Sequence, residues 1–301
     1  MCGKCPRDEQ ETSAGASAVP LLRVWWDTGD ALERLCDIIR HTQPDLAGLQ
    51  ERSLGAAEYI AKACGMYCAG GSDGQQPVLS RWPIEPLSPQ CPVGRGFRVK
   101  LPDGRELLWY NMHLRSYPYA PYVLHGFSAS WDAKPFDDPF EALIETPKID
   151  PRNQHEAALG VERQTQLPEL LEVLEDMQAR SGTHAAVFIT GDFNAASHHD
   201  YPKGPQWLCS SECEARGLTD SFAESRRQGT ATLHPANTWA AKEEQEPHGV
   251  FDRIDFVYCS TQVEVQWSMH LDGSNSGVPQ WPSDHRAVLS AFSYPAAGKQ
   301  L

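Results

Sequence analysis

The sequence predicts a single α/β sandwich, and three observations carry that reading. In the first half, short apolar stretches of strand length alternate with stretches of helical period. The second half is rich in strand-like runs, and no repeat or shift in composition marks an internal boundary. The 301 residues are enough to bury a substantial core.

Ala31, Leu32, Leu35, Ile38 and Ile39 recur at helical spacing, with Asp27 or Thr28 as the N-cap and Pro44 as the stop. LAGLQ then reads as a short buried strand ending at Glu51, and SLGAAEYIAKACG as a second helix closed by Gly65. PVLSRWPI and GFRVKL read as strands, and Pro102-Asp103-Gly104 turns the chain into the strand RELLWYNMHL. After His113 the period dissolves into a loop rich in Pro and aromatics. VERQTQLPELLEVLEDMQAR reads as one amphipathic helix, AAVFIT as an apolar strand and WLCSSECEARG as a helix. IDFVYCS, VEVQWSMHL and AVLSAFSY complete the strands.

Polar residues gather at the ends of these strands. Glu51 ends LAGLQ, His113 ends LLWYNMH, and Asp192 and Asn194 follow VFIT. Asp252 precedes IDFVY, and Asp284-His285 precedes AVLSAF. Each alone reads as a turn or capping residue. Together they terminate segments that must share one core, at the sheet edge where α/β folds place ligands. Glu51, Asp192, Asp252 and Asp284 would repel one another unless a cation sat among them, and oxygen donors select Mg²⁺ first and Mn²⁺ second. Two His beside such a centre suit proton transfer or charge stabilisation, which together are the parts for phosphate-ester hydrolysis. Arg253 and Asp255 flank Ile254 and could form a structural ion pair; Arg253 is otherwise a candidate for binding substrate.

Counting 26 Lys+Arg against 40 Asp+Glu gives a net charge of −14, which disfavours nonspecific grip on long nucleic acid. No apolar run reaches the ~20 residues of a membrane span, so stable membrane insertion is not expected. The odd count of nine cysteines, several inside core-like segments, suits reduced thiols in an intracellular, cytoplasmic protein. Cys2-Gly3-Lys4-Cys5 is a lone CxxC with no second pair beside it.

Leu49-Gln50-Glu51, Leu79-Ser80-Arg81-Trp82-Pro83-Ile84, Asn111-Met112-His113-Leu114, Gly191-Asp192-Phe193-Asn194, Asp252-Arg253-Ile254-Asp255 and Ser283-Asp284-His285, in this order, resemble the endonuclease/exonuclease/phosphatase superfamily. The resemblance runs from about residue 21 to the end and implies a four-layer α/β/β/α sandwich, DNase I-like, with two central mixed sheets. Residues 1–19, which lack the apolar core of a secretory signal, read as a disordered tail, 20–296 as the domain with a loop insertion at about 115–160, and 297–301 as a C-terminal tail. The resemblance also implies a metal-dependent phosphoesterase. Glu51 would be the main Mg²⁺ ligand, with Asp284 near the metal, and Asp192 would orient or deprotonate water. Asn194 would hold water or a phosphate oxygen, and Asp252 would pair with His285. His285 would stabilise the phosphoryl group or act as an acid, with His113 on the phosphate's other side.

One departure concerns the first strand, which in the family ends in Asn. Here LLRVWWDTGD has none: either Arg23 stands in that place, or a short segment is missing between Val24 and Trp25, which would leave a shortened edge strand. The expected partner is a phosphate-ester substrate, small molecule or nucleic acid, and the chain is expected to be a monomer. A nuclease or DNA-repair endonuclease is the alternative, and a catalytically impaired binding protein the second. Tyr117, Tyr119, Tyr122, Phe127 and Trp131 are expected either to stack on substrate as a lid or to pack the loop onto the sandwich. His198, His199 and Asp200 could be read as a second metal site, and His198 as a rim residue hydrogen-bonding near the substrate.

Overall fold

The computed structural model describes residues 16–23, 29–70, 76–88, 95–127, 153–182, 186–231, 237–241, 246 and 249–294. Among the described residues, twelve strands form two sheets. The first contains β1 (Ala16–Arg23), β2 (Leu46–Gln50), β3 (Tyr67–Ala69), β4 (Val78–Ser80), β11 (Glu264–Leu271) and β12 (Ala287–Ser293), in the order β11-β12-β1-β2-β4-β3. The second contains β5 (Ile84–Pro86), β6 (Arg95–Lys100), β7 (Glu106–His113), β8 (Ala186–Asp192), β9 (Leu218–Asp220) and β10 (Asp255–Ser260), in the order β5-β6-β7-β8-β10-β9. Each has one parallel pair, β1 with β2 and β7 with β8, among antiparallel neighbours.

Helices α1 (Gly29–Thr42) and α2 (Leu54–Cys64) cover the first sheet, burying Leu35, Ile38, Ile39 and Ile60 against Ala47 and Leu49. α5 (Gln166–Arg180) and α6 (Leu208–Ala215) cover the second through Leu170, Val173 and Cys213. Between the sheets lies a third core of Phe97, Trp109, Phe188, Val257, Val288 and Phe292. The four-layer α/β/β/α sandwich is therefore present.

Sequence and structure differ in several places. β1 begins at Ala16 and lies between β12 and β2, so residues 16–19 belong to the domain and the strand is an interior one, eight residues long. Arg23 ends it in register with Gln50; residues 24–28, which include the Val24–Trp25 junction where a segment could be missing, lie outside the described residues. PVLSRWPI splits into β4 and β5 on different sheets, because Pro83 has no N–H to continue a ladder. The loop after β7 carries a short helix, α3 (Ala120–Leu124), and the long helix also splits, into α4 (Gln154–Gln164) and α5, around Thr165. Pro168 lacks the N–H that would extend α4, so it sits in the first turn of a new helix. Finally, β9 and α7 (Ser221–Gln228) follow α6 unforeseen, α7 being capped by the Asp220 carboxylate on Phe222 N–H and Ala223 N–H. The expected tails beyond residues 16–294 lie outside the described residues, as do 128–152 of the insertion.

The layer between the sheets changes character along its length. Trp109, Asn111 and His113 pair across β7 and β8 with Phe188, Thr190 and Asp192. One end is thus aromatic, the middle amide and hydroxyl, and the other end charged. In the middle, Asn111 Nδ2 donates to Leu49 O (3.0 Å) and Pro77 O (3.2 Å), while its Oδ1 accepts from Gln50 Nε2 (2.7 Å) and Thr190 Oγ1 (3.0 Å). Gly48 leaves room for that side chain: a Cβ there would lie 2.5 Å from Asn111 Oδ1. Replacing Asn111 by Ala strands several buried polar groups at about 1–3 kcal/mol each. We expect Asn111→Ala to lower unfolding stability by roughly 3 kcal/mol, read from the urea midpoint; a loss below about 1 kcal/mol would mean the two sheets do not rely on this amide.

Candidate active site

The period of two along each strand decides which residues reach the charged end. On β7 the residues facing the other sheet are Leu107, Trp109, Asn111 and His113; on β8 they are Ala186, Phe188, Thr190 and Asp192. On β10 they are Asp255, Val257 and Cys259, with Asp255 opposite Asp192. The β7–β8 contact is close: a Cβ on Gly191, whose φ is +156°, would lie 2.2 Å from Met112 O. Only glycine suits the position before Asp192.

Glu51, His113 and Asp192 make one run of contacts. His113 Nε2 lies 3.8 Å from Glu51 Oε1 and 3.6 Å from Asp192 Oδ2. Asp192, Asp255 and His285, all buried, each bring a ligand-type atom within 4.8 Å of the others. His285 Nδ1 hydrogen-bonds Asp255 Oδ2 at 2.7 Å. The segment carrying His285 is anchored on both sides. His285 N–H donates to Ser283 Oγ (2.9 Å), Trp281 Nε1 donates to His285 O (2.6 Å), and the Trp239 ring meets the imidazole edge-on at 5.0 Å. Asp284 is buried beside it, and its Oδ2 accepts no hydrogen bond among the described residues.

Two of these residues hold unusual backbone. Glu51 and Asn194 have φ of 55° and 47°, in the left-handed region that costs a non-glycine residue free energy. Asn194 tolerates it best, and its N–H closes onto Asp192 Oδ1 at 2.9 Å. Its Nδ2 donates to Leu114 O (2.9 Å), so the amide secures the chain leaving β7 beside any contact with water or phosphate.

Several expected roles are overturned. Asp252 does not pair with His285; Asp255 does. Asp252 precedes β10, and its carboxylate accepts from the hydroxyls of Tyr119 (3.2 Å) and Tyr201. Arg253 does not face substrate. It is buried, with Nε on Asp200 Oδ2 (2.9 Å) and Nη1 on Asp220 Oδ2 (2.7 Å), so it is an internal tie, though not to Asp255. Tyr119 is buried in a cluster with Val250 and Ile254, packed by Tyr122, Phe127 and Trp239, and Tyr122 donates to Glu246. The loop's aromatics therefore pack it onto the sandwich; Tyr117 is 46% exposed and keeps a surface free, and Trp131 lies outside the described residues. His198 turns toward α6, with Nδ1 2.8 Å from Ser210 Oγ, and Asp200 is taken by Arg253 and Arg226. Burial holds the His198 imidazole below its ordinary range, with the neighbouring His199 adding to it.

Asp255 could have been found from the sequence by alternation, since it shares a face with Val257 and Cys259 in IDFVYCS. Tyr201 carried no local signal, because a loop residue's partner is set by tertiary approach alone.

The sequence profile of the Endonuclease/Exonuclease/phosphatase family matches residues 24–285. The Caenorhabditis elegans "Uncharacterized protein F14F9.5" is 22% identical over 303 residues, covering 89% of each chain. The fold is similar to that of D. rerio TDP2 complexed with single strand DNA product, with a TM-score of 0.58 and 15% identity, covering 92% of this chain and 99% of that one. Truncated Caenorhabditis elegans TDP2 is similar to the same degree, with a TM-score of 0.58 and 15% identity over 92% of this chain and 97% of that one.

Burial pushes the Asp252 carboxyl up from 3.8 to about 6, against the hydrogen bond from Tyr201. The folded state then binds the proton more tightly than the unfolded one, so this contribution is full below 3.8 and is lost as pH rises to about 6. Relative to Asp252→Asn, the wild type should lose stability across that window and run parallel above it, as read from chemical denaturation at stepped pH. Parallel curves throughout would show that the carboxyl titrates normally.

Proposed function

Because the chain belongs to the endonuclease/exonuclease/phosphatase family, whose members hydrolyse phosphoester bonds, we propose that it is a metal-dependent phosphoesterase that cleaves a phosphodiester or phosphate ester with an activated water. The observation that carries this reading is the buried His285–Asp255 pair at 2.7 Å, set across β8 and β10 from Asp192.

The residues fit a hard divalent cation. The carboxylates of Glu51 and Asp284 offer oxygen donors, and among the described residues the buried Asp284 Oδ2 accepts no hydrogen bond. Glu51 and Asp284 would hold Mg²⁺, or Mn²⁺ in its place. When bound, the ion would offset negative charge developing on the phosphoryl oxygens.

Asp192, held by Asn194 N–H, orients the attacking water and takes its proton as the new P–O bond forms and the ester oxygen leaves. Asp255 accepts from His285 Nδ1–H, and with the ring protonated the imidazolium Nε2–H would donate to the phosphoryl group. His113, between Glu51 and Asp192, contacts the phosphate from its other side. The net charge of −14 favours a small or medium substrate over long nucleic acid. The single-stranded DNA product held by D. rerio TDP2 makes that polymer the nucleic acid to include in any screen.

The test is hydrolysis, with Mg²⁺ and with Mn²⁺, of an artificial diester, single-stranded and plasmid DNA, RNA, sphingomyelin and inositol phosphates. Asp192→Asn, His285→Ala and Asp255→Asn should each lower kcat by about 100-fold or more. Asp252→Asn should stay within about tenfold of wild type, because it touches tyrosines and not His285. If every substrate survives, the protein is a non-catalytic family member. Selective cutting of DNA or RNA would make it a nuclease. Equal losses for Asp252→Asn and Asp255→Asn would overturn the corrected pairing.

A further inference from the structure

The short 3-10 turn His198–Asp200 lies between β8 and α6, and its two imidazoles converge on one carboxylate of α6. We propose that His198, His199 and Glu214 form a second metal site, for a borderline transition-metal ion such as Zn²⁺, sharing no residue with the phosphoesterase centre.

The geometry is that of a ligand set. His198 Nε2 lies 3.2 Å from Glu214 Oε2, His199 Nε2 meets Glu214 Oε1, and the three ligand atoms fall within 4.8 Å of one another. Donors bound tetrahedrally at about 2.0 Å stand about 3.3 Å apart, close to the His198–Glu214 separation. Two imidazoles and a carboxylate suit Zn²⁺ and leave a fourth position for water or a partner's group.

A second observation concerns hydrogen bonding around His198. Ser210 Oγ accepts from His198 N–H (2.9 Å) and lies 2.8 Å from Nδ1 and 3.3 Å from Trp207 O. With the Ser210 proton on Trp207 O, Nδ1–H donates to Ser210 and the lone pair of the neutral ring sits on Nε2, the atom 3.2 Å from the Glu214 carboxylate; that is the tautomer a metal at Nε2 requires. A hydrogen-bond partner on the far nitrogen of a ligating His is the usual outer shell of a metal site, and here Ser210 Oγ takes that place.

The supports are firm on both sides. Ser197 Oγ accepts from His199 N–H, and the Glu162 carboxylate caps α6 through Leu208 N–H and Cys209 N–H, each at 2.7 Å. Metal here would tie α6 to the turn that also delivers Tyr201 to Asp252.

Zn²⁺ alone should be titrated by calorimetry into chelator-treated full-length protein carrying Glu51→Gln, His285→Ala, Cys2→Ser and Cys5→Ser, which weakens the other candidate donors, the Asp192–Asp255–His285 set included. We expect saturation at one ion per chain and, with Co²⁺, visible absorption of tetrahedral intensity. In that background His199→Ala and Glu214→Gln should weaken Zn²⁺ binding by about 100-fold, Ser210→Ala by about tenfold, and His199→Cys should restore it. Zn²⁺ should also raise Tm with the site intact and not with Glu214→Gln. The residues are partly exposed, so the variants can be checked for unchanged folding by circular dichroism. Affinity unaltered by His199→Ala and Glu214→Gln, or no saturable binding, would leave only two histidines ion-paired to Glu214 and overturn the proposal.

Discussion

The amide of Asn111 is the contact on which the site depends. Between two sheets a polar side chain is costly unless it is fully bonded, and Asn111 meets that condition by joining β7 to both Leu49 and Gln50 on β2. It thereby fixes the end of β2, one residue from Glu51, against the strand that carries His113. Trp109 Nε1, bonded to Thr190 Oγ1 at 2.8 Å, extends the same belt toward the aromatic end. The belt separates an apolar layer, which supplies stability, from a charged layer, which holds the candidate site.

Above that belt the strands place charge by alternation and the loops refine it. Asp192 and Asp255 reach the same face because they are register partners, and His285 arrives from the first sheet to lie between the layers' edges. The left-handed backbone at Glu51 and Asn194 turns the chain at the two strand ends where side chains must be aimed. Such conformations persist only where their surroundings hold them, and here the Asn194 bonds to Asp192 and Leu114 do so.

A second polar assembly supports the first from the side. Arg253 ties Asp200 to Asp220, and Asp220 also caps α7. Tyr119 and Tyr201 close over Asp252 from the loop after β7 and the loop after the 3-10 turn. Burial and the nearby Asp252 charge keep both phenols protonated, so they remain donors. The aromatic loop is thus a wall packed onto the domain, with Tyr117 at its outer edge.

Much of this was legible in the sequence because it is local. Apolar period located α1, β2, α2, β7, β8 and the last three strands, and the polar residues at their ends marked Glu51, His113, Asp192, Asn194, Asp284 and His285. Pro168 and Pro83 carried the breaks that periodicity overlooked, since a missing N–H is a stereochemical fact and not a hydrophobic one. What only the tertiary structure decided were the partners: Asp255 and not Asp252 for His285, two aspartates for Arg253, and Glu214 for the histidine pair. The reason is physical. A strand's pattern determines which face a side chain takes, whereas its partner depends on how segments distant in sequence meet, and no local spacing encodes that approach.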